Sequence, residues 1–298
     1  MIQLAILLTS HNRKEKTLSC LKSIHGQIGI ADIHYHVYLV DDKSGDGTSE
    51  AVKLAYPAVN LVHGNGTLFW AGGMRLAWRE AINTNKNFDY YLLINDDTIL
   101  LNDALKNLFA DLAYLKEEKC ILIGSTKDEV SGEFTYGGRL LKNGYNLNSE
   151  KVKPNGSTPQ LCHLGNANIM LVPKPVVDRI GILSDDYTHA FADYDYTLKA
   201  KKAGIPSYSS SFYCGYCSDD HGVNWKTFDH SLRQRIQYLY SHKGLAYKEY
   251  LVYVRKFFPL FLPQAWLLVW TKTFSPFFWE LKRKKRNRKY IDSKLNYE

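Results

Sequence analysis

A chain of 298 residues that is 45% hydrophobic, 13% aromatic and 23% charged can build one large α/β domain, or one domain with an appendage, and is not a disordered protein. The net charge of +8 excludes less than its size suggests. Seven of the 38 basic residues lie in KRKKRNRK, 282–289, and the remainder nearly balance the 30 acidic residues, so the charge is a local tail and gives no ground for a nucleic-acid partner.

In chain order, MIQLAILLTSHN opens with a short apolar run and no basic segment before it, too short for a secretory signal and suited to a first buried strand. RKEKTLSCLKSIHGQ follows at helical spacing, with Gly26 near its end. HYHVYLVDDKS reads as a second strand, DGTSEAVKLAY as a helix closed before Pro57, NLVHGN as a third strand, GGMRLAWREAINT as a helix and YYLLINDD as a fourth strand. Strands alternating with helices in this way predict a mostly parallel central sheet with helices on both faces. Beyond residue 101 the pattern is mixed. ALKNLFADLAYLKEE is an amphipathic helix and CILIGSTK a strand, while 132–160 is turn-rich with hairpin character and a mobile stretch at 148–160. LCHLGNANIMLVPKPVVDRIG reads as a strand then a helix, and FADYDYTLKAKKAGIPSYSS as a helix ended by Gly204 and Pro206.

The strands end in TSHNR, VDDKSGDGT, HGNGT and NDDT, all polar and rich in Gly, Asp and Asn. In open parallel sheets ligands bind at the carboxyl ends of strands, so four successive strands bring functional groups to one edge. Each piece also has a plain reading. Asp41 and Asp42 can accept hydrogen bonds from a base and a ribose, or they can cap the helix after SGDGTSEAV. In HGNGTLFWAGGMRLAW the glycines Gly66 and Gly73 permit close backbone approach, the helix N-terminus favours phosphate and Arg75 can pair with it; a tight turn seating Trp70 on the sheet is the alternative. Neither G-x-G-x-x-G nor G-K-[ST] is present, which leaves Rossmann cofactors and P-loop chemistry unsupported. In NDDT, Asp96 and Asp97 suit a hard cation shared with a diphosphate, or solvated caps of a turn. Asp193, in AFADYDYTL, lies near a helix N-terminus as either an ionised general base or an N-cap. The five cysteines are scattered. Only Cys214 and Cys217 form C-x-x-C, with no second pair or histidines at zinc-ligand spacing, which points to free thiols.

Together these stretches resemble family 2 glycosyltransferases of the GT-A (Rossmann-like) fold. The resemblance covers roughly residues 1–225, through LLTSHNR, LVDDKSGDGT, INDDT and FADYDYTLKAKKAG; GNGTLFWAGGM and GNANIMLV are most similar to the bacterial rhamnosyltransferase-like branch of surface-polysaccharide synthesis, including O-antigen and capsule. It implies an inverting transfer from a UDP- or dTDP-sugar to a saccharide or lipid-linked saccharide, with Mn²⁺ or Mg²⁺ as cofactor. Thr9, His11, Arg13, Asp41, Asp42, Asn65, Gly66, Trp70, Gly73, Arg75 and Asp96 are implied at the donor nucleotide. Asp97 and His221 are implied at the metal, and Asp193 as the catalytic base. Two positions depart from the family pattern: Asn95 stands for the first Asp of D-x-D, and Ala192 for a Glu beside Asp193.

The expected organisation is a GT-A domain at 1–225, with a nucleotide-binding half at 1–101 and an acceptor-binding half at 102–225, followed by a helical extension at 226–298. Residues 255–289 are aromatic-rich but interrupted by Pro259, Pro263, Lys272 and Pro276, so they make a poor spanning helix. Aromatic bulk before a polybasic run suits an anionic membrane interface, which predicts a peripheral protein at the cytoplasmic face of the cell membrane; packing on the domain or on a second copy, as a homo-oligomer, is the alternative. Two rival functions stay open: a nucleotidyltransferase, which would want a Gly-rich loop where TSHNRKEKT has none, and a non-catalytic sugar-nucleotide binder or scaffold in which Asn95 and Ala192 mark decay.

Overall fold

The computed structural model describes residues 1–84, 86–219, 230–242, 244–275 and 277; His221 and the polybasic run 282–289 lie outside them. The chain divides into two compact units, Met1–Asp219 and Asp220–Glu298.

The first unit is built on a nine-stranded sheet. Strands β1 (Ile2–Ser10), β2 (Ile33–Asp41), β3 (Asn60–His63) and β4 (Tyr90–Ile94) run parallel in the order β3-β2-β1-β4. β11 (Ile169–Pro173) then pairs antiparallel with β4, Ile169 opposite Ile94, so the start of β11 lies at the carboxyl end of β4. β6 (Ile121–Lys127) and the long β12 (Ser207–Tyr216) follow, with β5 (Ile99–Leu100) and β9 (Gln160–Cys162) pairing along β12. A separate antiparallel sheet joins β10 (Leu164–Gly165), β7 (Gly138–Leu141) and β8 (Ser149–Lys151). The stretch expected to be mobile at 148–160 thus holds one strand and enters another.

The apolar runs of the central strands exist because both faces of the sheet are covered. Alternate residues separate cleanly. Ala5, Leu7, Tyr38, Val40, Tyr91, Leu93, Met170 and Val172 join one core with Met74, Ala77 and Trp78 of α3 (Phe69–Asn83) and Tyr196 of α6 (Ala192–Lys202). Leu4, Ile6, Leu8, Val37, Leu39, Leu92, Ile94 and Leu171 join the other with Cys20, Leu21 and Ile24 of α1 (Lys14–His25) and Leu105 and Leu108 of α4 (Ala104–Leu115). Helices α2 (Thr48–Ala55) and α5 (Lys174–Ile180) complete the unit.

Strand β12 is absent from the expectation, which goes no further than a helix ended by Gly204 and Pro206. Its serines are buried. Asp111 on α4 accepts from the Ser211 backbone and hydroxyl, and Ser210 Oγ accepts from the Ser125 N–H at 2.9 Å. For Ser210 and Ser211 the polar cost of burial is met by these partners, whereas among the described residues Ser207 Oγ is buried without one.

In the second unit, α7 (Leu232–Tyr240) begins at a capping box between Ser231 and Gln234. α8 (Tyr247–Phe257) leads through a 3₁₀ turn, Pro259–Phe261, into α9 (Leu262–Phe274). α9 buries Ala265, Val269 and Thr273 at helical spacing and exposes Leu267 and Phe274 opposite them, with Trp266 beside. Among the described residues no helix is long and apolar enough to cross a membrane.

Candidate functional site

The site is assembled where β1, β2 and β4 end and β11 begins. Asp42 follows β2 and is buried. Its Oδ1 accepts from the Gly66 N–H at 2.7 Å, and its Oδ2 from Leu68 and Phe69 N–H at 2.9 and 3.2 Å. One carboxylate thereby fixes the glycine loop that enters α3. Gly66 is needed there because its φ is +90°. Asp41, beside it, accepts from the Ser44 N–H at 3.0 Å and from the Ser49 hydroxyl. Both carboxylates therefore hold loops.

Gly73 lets α3 lie directly on β1. A β-carbon there would overlap the Thr9 hydroxyl and come within 2.8 Å of Thr9 Cβ. Thr9 is correspondingly buried. His11, on the exposed β1–α1 loop, bonds the Asp42 carbonyl through Nδ1 at 2.7 Å and Asn12 Nδ2 through Nε2 at 3.1 Å. Asn65 is exposed and accepts from the Thr67 N–H and hydroxyl at 2.9 and 2.8 Å.

Asn95, in place of an acidic residue, accepts from the Trp70 indole N–H at 2.8 Å, and its own N–H donates to the Asn168 carbonyl at 3.2 Å. An amide oxygen suffices for a neutral indole donor, so the departure from the family pattern has a structural use. The next two residues meet a cation. Arg13 Nη1 lies 3.1 Å from Asp96 Oδ1 and 2.7 Å from Asp97 Oδ2. Burial still pushes the Asp96 carboxyl up to about 6 against the pull of Arg13, with Asp97 adding to the rise. Among the described residues Asp96 Oδ2 is buried and makes no hydrogen bond. Cys217 donates to Asp97 Oδ1 at 3.7 Å and accepts from Asn168 Nδ2 at 3.3 Å; burial pushes its thiol up to about 12. The five cysteines are free and buried.

Asp193 sits in the first turn of α6, after Phe191 at φ 67°. Its Oδ1 accepts from the Tyr194 N–H at 2.8 Å and its Oδ2 from Asn166 Nδ2 at 3.4 Å. Burial pushes the carboxyl up to about 6, outweighing these donors and the helix dipole. Asp195, two residues on, is fully buried and takes the Tyr187 hydroxyl at 3.0 Å, so Asp193 is the carboxylate left at the edge. One short segment, 166–168, ties the parts together: Asn166 holds Asp193, and Asn168 holds Asn95 and Cys217. These two asparagines were not singled out from the sequence as site residues; the GNANIMLV stretch that contains them was the signal.

Arg75 is not in this group. It bonds the Ser184 and Tyr187 carbonyls, each at 2.8 Å, and Asp185 at 2.9 Å, and so braces the segment leading to α6. Among the described residues no group of three or more His, Cys, Asp or Glu forms a metal cage. Two carboxylates with an unpartnered buried oxygen do fit a hard cation of the kind that completes its coordination with substrate phosphates.

Against known families, the pattern of Glycosyl transferase family 2 matches residues 5–170, more than half the chain; the span carries the loops after β1, β2, β3 and β4 and the 166–168 segment, while Asp193 and Cys217 lie beyond it. The chain belongs to that family. It is a glycosyltransferase with the GT-A fold. No curated protein matches its sequence. Among solved structures, S. aureus TarS is similar at 17% identity and a TM-score of 0.53, over 88% of this chain and 43% of that one, so this family 2 chain spans less than half of TarS. TarS 1-349 in complex with UDP matches at 16% identity and 0.53, over 87% and 72%. The mannosyltransferase PcManGT from Pyrobaculum calidifontis, in complex with GDP-Man and Mn²⁺, matches at 14% identity and 0.54, over 92% and 73%. At these identities the likeness is one of fold.

Proposed function

We propose that this glycosyltransferase is an inverting, divalent-metal-dependent enzyme that moves a sugar from a UDP- or dTDP-linked donor to a saccharide or lipid-linked saccharide acceptor in bacterial surface-polysaccharide synthesis. The observation that carries the reading is the linkage of two unlike carboxylate sites through residues 166–168. One is a paired-Asp turn at the carboxyl end of β4; the other is a single Asp with a pKa of about 6 at the start of α6. Ligands in the similar structures, UDP for one and GDP-Man with Mn²⁺ for another, support the donor class and the ion.

In the reaction, Asp193 takes the proton of the acceptor hydroxyl as that oxygen attacks the anomeric carbon from the face opposite the nucleotide. The bond from that carbon to the diphosphate breaks, and the configuration inverts. A carboxylate with a pKa near the working pH is both ionised and basic enough for this. Asp96 and Asp97 would hold Mn²⁺ or Mg²⁺, whose charge stabilises the departing diphosphate. His11, Arg13, Asn65 and Gly66 are exposed at this edge and suit direct donor contact. Thr9, Asp41, Asp42, Trp70 and Gly73 act by setting the shape of the surrounding loops.

The same proposal puts the enzyme at the cytoplasmic face of the membrane. Helix α9, about 20 Å long at 1.5 Å per residue, is too short to span a bilayer of about 30 Å. Its exposed Trp266, Leu267 and Phe274, followed in sequence by KRKKRNRK, suit an anionic lipid surface that carries the acceptor.

Incubation with a panel of nucleotide sugars and Mn²⁺ tests the activity. Metal-dependent release of a nucleoside diphosphate, with the new sugar of inverted configuration, is expected. Release of pyrophosphate would make it a nucleotidyltransferase. No turnover with any donor, despite nucleotide binding, would make it a binding protein.

A further inference from the structure

Arg13 neutralises Asp96 and Asp97 in an unusual way. A guanidinium normally meets a carboxylate as a fork, through two nitrogens. Here both contacts, at 3.1 and 2.7 Å, come from the single nitrogen Nη1. The side chain is 45% exposed, and among the described residues its Nε and Nη2 make no hydrogen bond, so the other edge of the fork faces outward. The backbone is held separately: the Arg13 carbonyl accepts the Thr17 N–H and hydroxyl, each at 2.9 Å. The side chain can therefore change partners without disturbing the loop. Meanwhile, among the described residues, Asp96 Oδ2 is buried and unbonded, so a single guanidinium leaves the acidic pair incompletely satisfied there.

We propose that Arg13 is an exchangeable counter-ion: without donor it occupies the place between Asp96 and Asp97, and a diphosphate draws it away and opens both carboxylates to a divalent cation. A guanidinium and a divalent ion cannot share that place, because like charges at contact distance repel strongly in a partly buried site. A diphosphate, by contrast, offers the planar fork the geometry it lacks on the aspartates. The cation and the diphosphate then bind with positive coupling, reciprocal by linkage. The identity of the diphosphate as part of a sugar donor rests on the function proposed above; the exchange itself does not.

Two single-ligand titrations on the full chain test it. Mn²⁺ alone is titrated by the loss of its free-ion paramagnetic resonance signal, and pyrophosphate alone by calorimetry in the presence of a chelator. Arg13→Gln is expected to tighten Mn²⁺ about tenfold or more and to weaken pyrophosphate by a similar factor, a loss of the 1.4 kcal/mol order. Arg13→Lys, which keeps the charge but loses the fork, should leave Mn²⁺ near the wild-type value and still weaken pyrophosphate. Opposite signs are the signature, since a merely structural arginine would weaken both ligands together. If Mn²⁺ binding is unchanged or weaker in Arg13→Gln, or if pyrophosphate binding is unaffected, the exchange is refuted. Should Arg13→Gln fail to fold, Arg13→Lys decides through its pyrophosphate arm: an unchanged affinity refutes the proposal. Neither arm requires a nucleotide, so failure of the donor assignment appears separately, as absence of turnover with every nucleotide sugar.

Discussion

Replacing Asp193 by Asn removes a proton acceptor while keeping shape and most hydrogen bonding, and its consequences for rate and stability have opposite signs. The folded carboxyl titrates at about 6 because burial disfavours its charge; in the unfolded chain an Asp titrates at about 3.9. Below pH 4 the carboxyl is protonated in both states and costs nothing. Between 4 and 6 the folded state keeps a proton that the unfolded state has released, so stability is lost as pH rises through 6. Above 7 the wild type carries a penalty of about 3 kcal/mol at 1.36 kcal/mol per pH unit, nearer 1–2 kcal/mol once solvent screening of a partly exposed group is allowed for. Asp193→Asn should thus be more stable than wild type in urea at pH 7.5, by about that amount, and indistinguishable at pH 4. Its turnover should fall about 10²–10⁴-fold, with donor affinity unchanged. Wild-type kcat/KM should rise about tenfold per pH unit up to 6 and then level, because the ionised form is the active one. An Asp193→Asn enzyme that keeps more than a tenth of the rate, a pH profile breaking near 4, or a variant less stable than wild type at pH 7.5 would refute the assignment.

Gly73→Ala should cost about 1–3 kcal/mol in urea unfolding by forcing α3 off Thr9, and adding Thr9→Ala should recover part of it, since the hydroxyl is removed but the β-carbon remains. Asn95→Asp keeps the acceptor for Trp70 but places a third carboxylate beside Asp96 and Asp97; it should lower the melting temperature in metal-free buffer at pH 8, and Mn²⁺ should reverse the loss. Asp42→Ala should speed amide exchange at Gly66 and Leu68 about tenfold or more, since both donors lose their acceptor; unchanged exchange would show that the loop is held by something else. Leu267→Glu with Phe274→Glu should weaken binding to anionic vesicles about tenfold or more at unchanged melting temperature, and an unaltered vesicle affinity would remove α9 from the membrane contact.

What could be read from the sequence and what could not divide along a physical line. The strands β1, β2 and β4 were legible because burial on both faces leaves an apolar signature that no loop shares. The polar tips were legible because Gly, Asp and Asn cluster there. β12 was not, because Ser210 and Ser211 are made compatible with burial by Ser125 and Asp111, partners about 85–100 residues away that leave no local trace. Asp42 could be found but its role could not, since its partners are backbone N–H groups, which every residue but proline possesses. The substitution at Asn95 reads in isolation as the loss of a charge; its meaning depends on Trp70, 25 residues away.

The NDD turn shows the same limit at its sharpest. Two adjacent acids at the end of a core strand are costly to bury unless a cation meets them, and that much follows from residues 90–97 alone. Which cation does not follow, because Arg13 lies 83 residues earlier, on a loop whose neighbour in space is fixed only by the β1–β4 pairing. The parallel register that brings Leu7 opposite Leu93 also carries the loop after β1 to the turn after β4. The local arginine then answers the requirement that a bound metal would otherwise have to meet in the free protein. A site that must stay folded without its ligands needs such an internal counter-charge, and one held through a single nitrogen satisfies that need while remaining weak enough to displace.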